Sequence, residues 1–288
     1  MSLYRDTIRQ LATVYPQGEA TAMARMLFEC HFGFTLTDIL LGKDSELSSN
    51  DCLQCQNIVT RLLKNEPIQY VLGKTEFCGL TIKVAPGVLI PRPETVELVE
   101  WVEESMEGGS AGFDVGTGSG CIALALADKG FRMEACDVSD EALSIAKENA
   151  ERLHLEITFR KEDILHSERC GCYDFVVSNP PYICQREAAS MERNVLDYEP
   201  HTALFVPDDD PLLFYRAIAR YAITNLKPGG MLFFEINRVY GFDTMKMLQE
   251  HGFENVEIRK DQYGNDRMIR ALKPHNLTTP QPHNLTTS

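Results

Sequence analysis

Through the first seventy residues, apolar side chains recur at helical spacing: Leu3, Ile8 and Leu11, then Ala22, Met26 and Leu27, then Leu53, Ile58, Leu62 and Leu63. Such spacing lines one face of an α-helix. Ser48, Ser49 and Asn50 precede the third set and are residues that cap free helical N–H groups. Short polar breaks separate the segments, so residues 1–72 are expected to pack as a small helical bundle. From Gly73 to Ile90 the pattern, GKTEFCGLTIKVAPGVLI, changes to period two with Gly and Pro punctuation. That predicts a hairpin-like connector over 73–92.

Beyond Pro93, helical segments and apolar runs alternate. Helices are expected over 94–106, 119–129, 140–153, 211–226 and 241–251. Strands are expected over 111–115, 132–137, 157–161, 173–178, 231–236, 254–260 and 267–272. This alternation predicts an α/β domain with a largely parallel sheet over 93–273. The Tyr263-Gly264-Asn265-Asp266 turn joins two consecutive strands and so predicts an antiparallel pair at the end. The tail, 274–288, contains PHNLTT twice; it is polar, Pro-broken and expected to be disordered.

Composition narrows the class. The chain has 288 residues, 44% of them hydrophobic, and no stretch approaches the ~20 apolar residues that span a bilayer. The N-terminus lacks a basic-then-apolar leader. A soluble, cytoplasmic protein with no membrane partner is expected. Nine cysteines, odd in number and scattered, read as reduced thiols. The Cys52/Cys55 and Cys170/Cys172 pairs stand alone, whereas structural zinc takes four ligands, so no metal is expected. Lys and Arg total 28 against 42 Asp and Glu, a net charge of −14. A protein that tracks a phosphate backbone carries a basic face, so nucleic acid is not the expected partner.

Phe113-Asp114-Val115-Gly116-Thr117-Gly118-Ser119-Gly120 lies between a predicted strand and a predicted helix. Glycines there permit a tight turn and close approach of a ligand. The dinucleotide fingerprint fails, because its third glycine would fall on Cys121. Asp114 beside the turn disfavours a pyrophosphate and suits a cationic ligand. The next strand ends in Asp137, placed to accept both hydroxyls of a ribose. Asp163 follows the strand after that and can face an adenine amino group. Together these residues describe a nucleoside site without phosphates, and S-adenosylmethionine is such a ligand.

The apolar run 173–178 stops at Asn179-Pro180-Pro181-Tyr182. A residue before proline is pushed toward extended geometry, so Pro180 restrains Asn179. Neither proline has an N–H. The Pro180 carbonyl and the Asn179 side-chain oxygen can therefore present two acceptors with no competing donor. A planar amino group, which offers two N–H bonds, fits them, and Tyr182 can stack on its face. The bland alternative is a proline-terminated strand with a capping Asn and a surface Tyr. In an open α/β sheet, ligands bind beyond the C-terminal strand ends where strand order reverses, and strand 173–178 is expected to neighbour strand 111–115.

With these residues in view, 1–273 resembles the release factor glutamine methyltransferases (the HemK/PrmC family). Asn-Pro-Pro-Tyr is shared with enzymes that methylate amino groups of adenine or cytosine. More specific are Ile90-Pro91-Arg92-Pro93-Glu94-Thr95, Pro67-Ile68-Gln69-Tyr70-Val71-Leu72-Gly73 and Glu76-Phe77-Cys78-Gly79. Glu199-Pro200, Ala203-Leu204 and Lys227-Pro228-Gly229-Gly230 also match. The resemblance implies a Rossmann-like S-adenosylmethionine-dependent methyltransferase fold, with a seven-stranded mostly parallel sheet behind an N-terminal helical substrate-recognition domain. It implies N5-methylation of the glutamine in the Gly-Gly-Gln loop of class 1 peptide chain release factors. Asp114, Gly116, Thr117, Gly118, Ser119, Gly120, Asp137, Asp163, Ile164 and Asn179 would hold the cofactor. Asn179, Pro180, Pro181 and Tyr182 would grip the glutamine and serve catalysis. A monomer is expected. Ile164 stands where relatives often carry an aromatic residue, and Asn237 where a Gly is usual. The alternative is an amino-group methyltransferase acting on a base of DNA or RNA, against which the acidic charge counts.

Overall fold

A computed structural model of the chain describes residues 2–275, so from residue 276 onward the repeated tail lies outside the described residues. In chain order, α1 (Leu3–Leu11), α2 (Gln17–Phe32), α3 (Leu36–Leu40), α4 (Ser49–Leu62) and α5 (Ile68–Leu72) form a helical unit. Its starts follow from local chemistry. Ser2 caps α1, and Thr35 with Asp38 and Ser48 with Asp51 form capping boxes on α3 and α4. Leu11, Leu27, Phe28 and Leu62 are its fully buried centre.

The hairpin β1 (Lys74–Phe77) and β2 (Leu80–Lys83) turns at Cys78 and Gly79, both with positive φ. Then come α6 (Pro93–Ser105), β3 (Ala111–Val115), α7 (Cys121–Asp128), β4 (Arg132–Asp137), α8 (Asp140–Leu153), β5 (Ile157–Lys161) and β6 (Tyr173–Ser178). Between residues 179 and 212 the chain makes short pieces that periodicity does not predict. They are β7 (Ile183–Cys184), α9 (Arg193–Tyr198), α10 (His201–Leu204) and β8 (Phe205–Val206). Residues 191–199 belong to the helical unit, where the Tyr198 hydroxyl donates to the Lys64 carbonyl at 2.8 Å. The chain closes with α11 (Leu213–Asn225), β9 (Leu226–Glu235), α12 (Gly241–Glu250), β10 (Glu254–Lys260) and β11 (Asp266–Leu272).

The large unit is built on a seven-stranded sheet of order β10-β11-β9-β6-β3-β4-β5. The five strands from β9 to β5 run parallel, and β11 and β10 join antiparallel. The Rossmann-like α/β fold expected from the sequence is the fold observed. β6 is buried nearly throughout, with Phe175, Val176 and Val177 at its centre, as befits a central strand covered on both faces. β9 begins at Leu226 rather than 231, because its register against β6 shifts across Lys227-Pro228-Gly229-Gly230, a stretch that reads locally as a turn. β3 starts weakly, with Ala111 and Gly112, for a packing reason. A Cβ on Gly112 would meet the Phe175 ring at 2.2 Å, so only glycine fits beneath that ring. From β3 the chain proceeds to β4 on one side and later to β6 on the other. The C-terminal ends of β3 and β6 thus flank the point where strand order reverses.

Candidate functional site

After β3, Gly116 and Thr117 both donate N–H bonds to the Cys136 carbonyl at 2.9 Å, which folds the turn back over the end of β4. Gly116 and Gly118 have φ of +72° and +56°, and nothing lies within 4 Å of where a Cβ would stand. Their backbone faces open space. Gly120 differs: a Cβ there would press on Ala146 and Leu124 at 3.1 Å, so this glycine lets α7 approach α8.

Asp137 at the end of β4 accepts the Gly118 N–H on one oxygen and the Ser139 N–H on the other, each at 2.9 Å. Each oxygen retains a lone pair for a hydroxyl. Burial raises its carboxyl above the ordinary value, opposed by those N–H groups. The turn and this carboxylate line one cavity together with Asp163, Ile164, Asn179, Pro180 and Pro181. Val88, Leu89, Val138, Phe214 and Ile218 are among the residues of its apolar wall. Val138, directly after Asp137, is 58% exposed and lines this cavity, and nothing in the local pattern marks it. The larger depression, about 1340 Å³, lies at the opposite, N-terminal ends of β3, β4 and β5. The strand-end rule favours the smaller cavity.

Not every expected residue lines it. Asp114, expected to face a cation, is fully buried beneath the turn, where Oδ2 accepts the Thr117 hydroxyl at 2.6 Å. Its Oδ1 has no hydrogen bond among the described residues. Burial pushes this carboxyl up to about 7, held back by the Thr117 hydroxyl and the neighbouring Ala123 N–H. Thr117, Ser119 and Gly120 are likewise buried under the turn. Asp163 lines the cavity, yet its oxygens are engaged by the Leu165 N–H and the His166 ring. The His166 bond, with help from Leu165, keeps its carboxyl below the usual value. Ile164 packs partly on the core.

At the end of β6, Asn179 is half-buried, and its Nδ2 donates to Thr95 Oγ1 at 3.2 Å. Thr95 in turn donates to Glu235 Oε2 at 2.6 Å, and the Tyr182 hydroxyl donates to Glu235 Oε1 at 3.0 Å. Thr95 stands in the first turn of α6 and Glu235 is the last residue of β9; both are buried. Burial raises the Glu235 carboxyl, against the Thr95 and Tyr182 hydroxyls and the charge of Arg267. Burial likewise raises the Tyr182 phenol. Tyr182 does not line the cavity; its ring leans on the core. Asn237 Nδ2 holds the Tyr182 carbonyl at 3.1 Å. In sequence, Thr95 stands within the Ile90–Thr95 motif, and Glu235 belongs to none. An acid closing a buried run, FFE, was the available signal.

The donor set fits a nucleoside cofactor. Open glycine backbone, a diol-ready carboxylate and an apolar wall surround the cavity. A profile for the PrmC N-terminal domain matches residues 2–73, and one for the methyltransferase small domain matches residues 95–197. A release factor glutamine methyltransferase of Bacteroides thetaiotaomicron is 46% identical over 92% of this chain and 97% of its own length. The Flavobacterium psychrophilum protein of the same name is 42% identical over 92% and 95%. A solved methyltransferase from Pyrococcus furiosus superposes with a TM-score of 0.52 at 20% identity, over 76% of this chain and 99% of its own, which speaks for the fold alone.

Proposed function

The chain belongs to the release factor glutamine methyltransferase family, and on that premise we propose that it methylates N5 of the glutamine in the Gly-Gly-Gln loop of class 1 peptide chain release factors. S-adenosylmethionine, held by the Gly116–Gly118 backbone and Asp137, supplies a methyl group that is already activated. Val138 and Ile164 flank the adenine side of the cavity in this reading.

The observation that carries the proposal is the orientation of Asn179. Its nitrogen is committed inward to Thr95, so its oxygen is left for a donor in the cavity that the glycine turn also lines. The Pro180 carbonyl supplies the second acceptor, and no N–H at residues 180 and 181 competes. An amide nitrogen is a poor nucleophile because its lone pair is delocalised. Holding both of its hydrogens aims that lone pair, and near-attack placement of this kind contributes on the order of 7–11 kcal/mol. The same acceptors bind more strongly as the nitrogen gains positive charge. No strong base is required, since the methylated amide gives up its proton to water.

The test is transfer of radiolabelled methyl from S-adenosylmethionine. Purified release factor, the same factor with its loop glutamine changed to alanine, and duplex DNA are offered separately. Label on the unmodified factor alone supports the proposal. Label on DNA transfers it to the base-methylating reading, and label on none of them removes the enzymatic one.

A further inference from the structure

The chain of donors behind Asn179 has a direction. Glu235 accepts from both hydroxyls that reach it, Thr95 on Oε2 and Tyr182 on Oε1. The 2.6 Å contact from Thr95 lies in the range of a charge-assisted O–H···O⁻ bond. Thr95 has a single hydroxyl hydrogen. Once that is given to Glu235, Oγ1 toward Asn179 can only accept, and of the two ends of the amide only Nδ2 can donate. A flipped amide would set Oδ1 against an oxygen with no hydrogen to offer. That arrangement leaves buried polar groups unpaired and is therefore disfavoured.

We propose that Glu235, acting through Thr95, is a positioning residue that fixes which end of the Asn179 amide faces the cavity and so selects substrates that donate two N–H bonds over isosteric acceptors. This rests on the methylation reading above and deepens it. It explains why a buried acid from β9 and a buried hydroxyl from α6 meet behind a turn on β6, although neither touches the cavity. Glutamine and glutamate are nearly the same shape. Shape therefore separates them poorly, whereas an outward acceptor pair accepts an NH₂ group and repels a carboxylate.

The consequence for Glu235→Gln follows from counting. An amide there can donate to Thr95 Oγ1, which frees the Thr95 hydrogen to bond Asn179 Oδ1 and turns Nδ2 toward the cavity. Thr95→Val removes the relay outright, while Thr95→Ser keeps it.

The experiment compares full-length wild type, Glu235→Gln, Thr95→Val and Thr95→Ser. It measures methylation of the release factor, and inhibition by the same factor carrying glutamate in place of its loop glutamine. S-adenosylmethionine affinity and melting temperature are read alongside. Glu235→Gln and Thr95→Val are expected to lose about 10²-fold in kcat, the scale of removing one preorganised polar contact. Cofactor affinity should stay within about threefold and Thr95→Ser within about fivefold of wild-type turnover, on the same scale. The preference for glutamine over glutamate should narrow by at least about tenfold in the two impaired variants. Turnover and preference both unchanged in a folded Glu235→Gln or Thr95→Val protein overturns the inference. So does Thr95→Ser as impaired as Thr95→Val, or cofactor affinity falling in step with kcat, since either marks a merely structural role. If wild type itself leaves the factor unmethylated, the reading beneath has failed, a result distinct from active wild type with unaltered variants.

Discussion

Two turns stand side by side at the C-terminal edge of the sheet, one after β3 and one after β6, and they are built on opposite principles. The glycine turn is shaped by its own backbone. Positive φ at Gly116 and Gly118 opens it, and its bonds run to the end of the neighbouring strand, to the Cys136 carbonyl and the Asp137 carboxylate. The Asn-Pro-Pro-Tyr turn has no N–H at its two prolines and is held by distant side chains: Asn179 Nδ2 donates to Thr95 of α6, the Tyr182 hydroxyl donates to Glu235 of β9, and Asn237 donates to the Tyr182 carbonyl. A site made by local backbone tolerates change elsewhere in the chain. A site made by convergent side chains does not, and in return it specifies which atom points where.

The sharpest separation of the two comes from Asn179→Ala. It removes an acceptor aimed at the substrate and leaves the glycine turn alone. Turnover should fall about 10³-fold, equivalent to about 4 kcal/mol of transition-state stabilisation, while cofactor affinity stays within about twofold. A drop of only a few fold, measured with saturating factor and cofactor, would show that the two turns are not specialised as described.

The converse is Asp137→Ala. This loses the carboxylate that both anchors Gly118 and is offered to the ribose. Charge-assisted bonds are worth roughly 1.5–3 kcal/mol each. Cofactor dissociation constants from calorimetry should rise about 10²-fold, with kcat at saturating cofactor changed far less. Equal losses in binding and turnover would contradict the division.

The same contrast governs what the amino-acid sequence reveals. β3 to β6, the glycine turn and the acid ending β4 follow from period, turn chemistry and strand ends, all of which are local. Gly112 illustrates the limit. It looks like a poor strand start, and only the Phe175 ring above it explains its presence. Residues 183–206 carry no readable period because their pieces are two to six residues long. They are fixed by distant pairings such as the Arg186 N–H with Asp208 at 2.9 Å. Asp114 looks ligand-facing in sequence yet is buried, because a sequence shows proximity to a turn and not which side of it a carboxylate takes. Glu235 and Thr95 are 140 positions apart, and no sequence spacing connects them.

Gly120 tests whether the third glycine belongs to the ligand or to the packing. With φ of +85° and Ala146 and Leu124 at 3.1 Å from a built Cβ, Gly120→Ala must shift α7 against α8. Overpacking of this kind costs about 1–3 kcal/mol. Chemical denaturation should show a loss near 2 kcal/mol on that scale, with residual cofactor affinity close to wild type in the folded fraction. A stable variant that has lost the cofactor would assign Gly120 to the ligand instead.

The mildest effect is expected at Asp114, the buried acid under the glycine turn. Its folded-state value, about 7, lies above the ordinary 3.8. The folded protein therefore holds this proton over a range where the unfolded chain has released it. The stability so gained is complete below about pH 4 and is lost as pH rises through 7. Between pH 6 and pH 8 the loss attributable to this one group is about 1 kcal/mol. Asp137 and Glu235 shift in the same direction, so the wild-type curve alone does not isolate it. The difference between wild type and Asp114→Asn does, because Asn can still accept the Thr117 hydroxyl but carries no titrating proton. Unfolding free energies of the two proteins should converge or cross as pH rises from about 4 to 7, with the relative gain of the Asn variant levelling off above pH 7. Parallel curves across that window would place the Asp114 carboxylate in contact with a compensating charge, and the account of it as a buried acid held only by the Thr117 hydroxyl and the neighbouring Ala123 N–H would have to be abandoned.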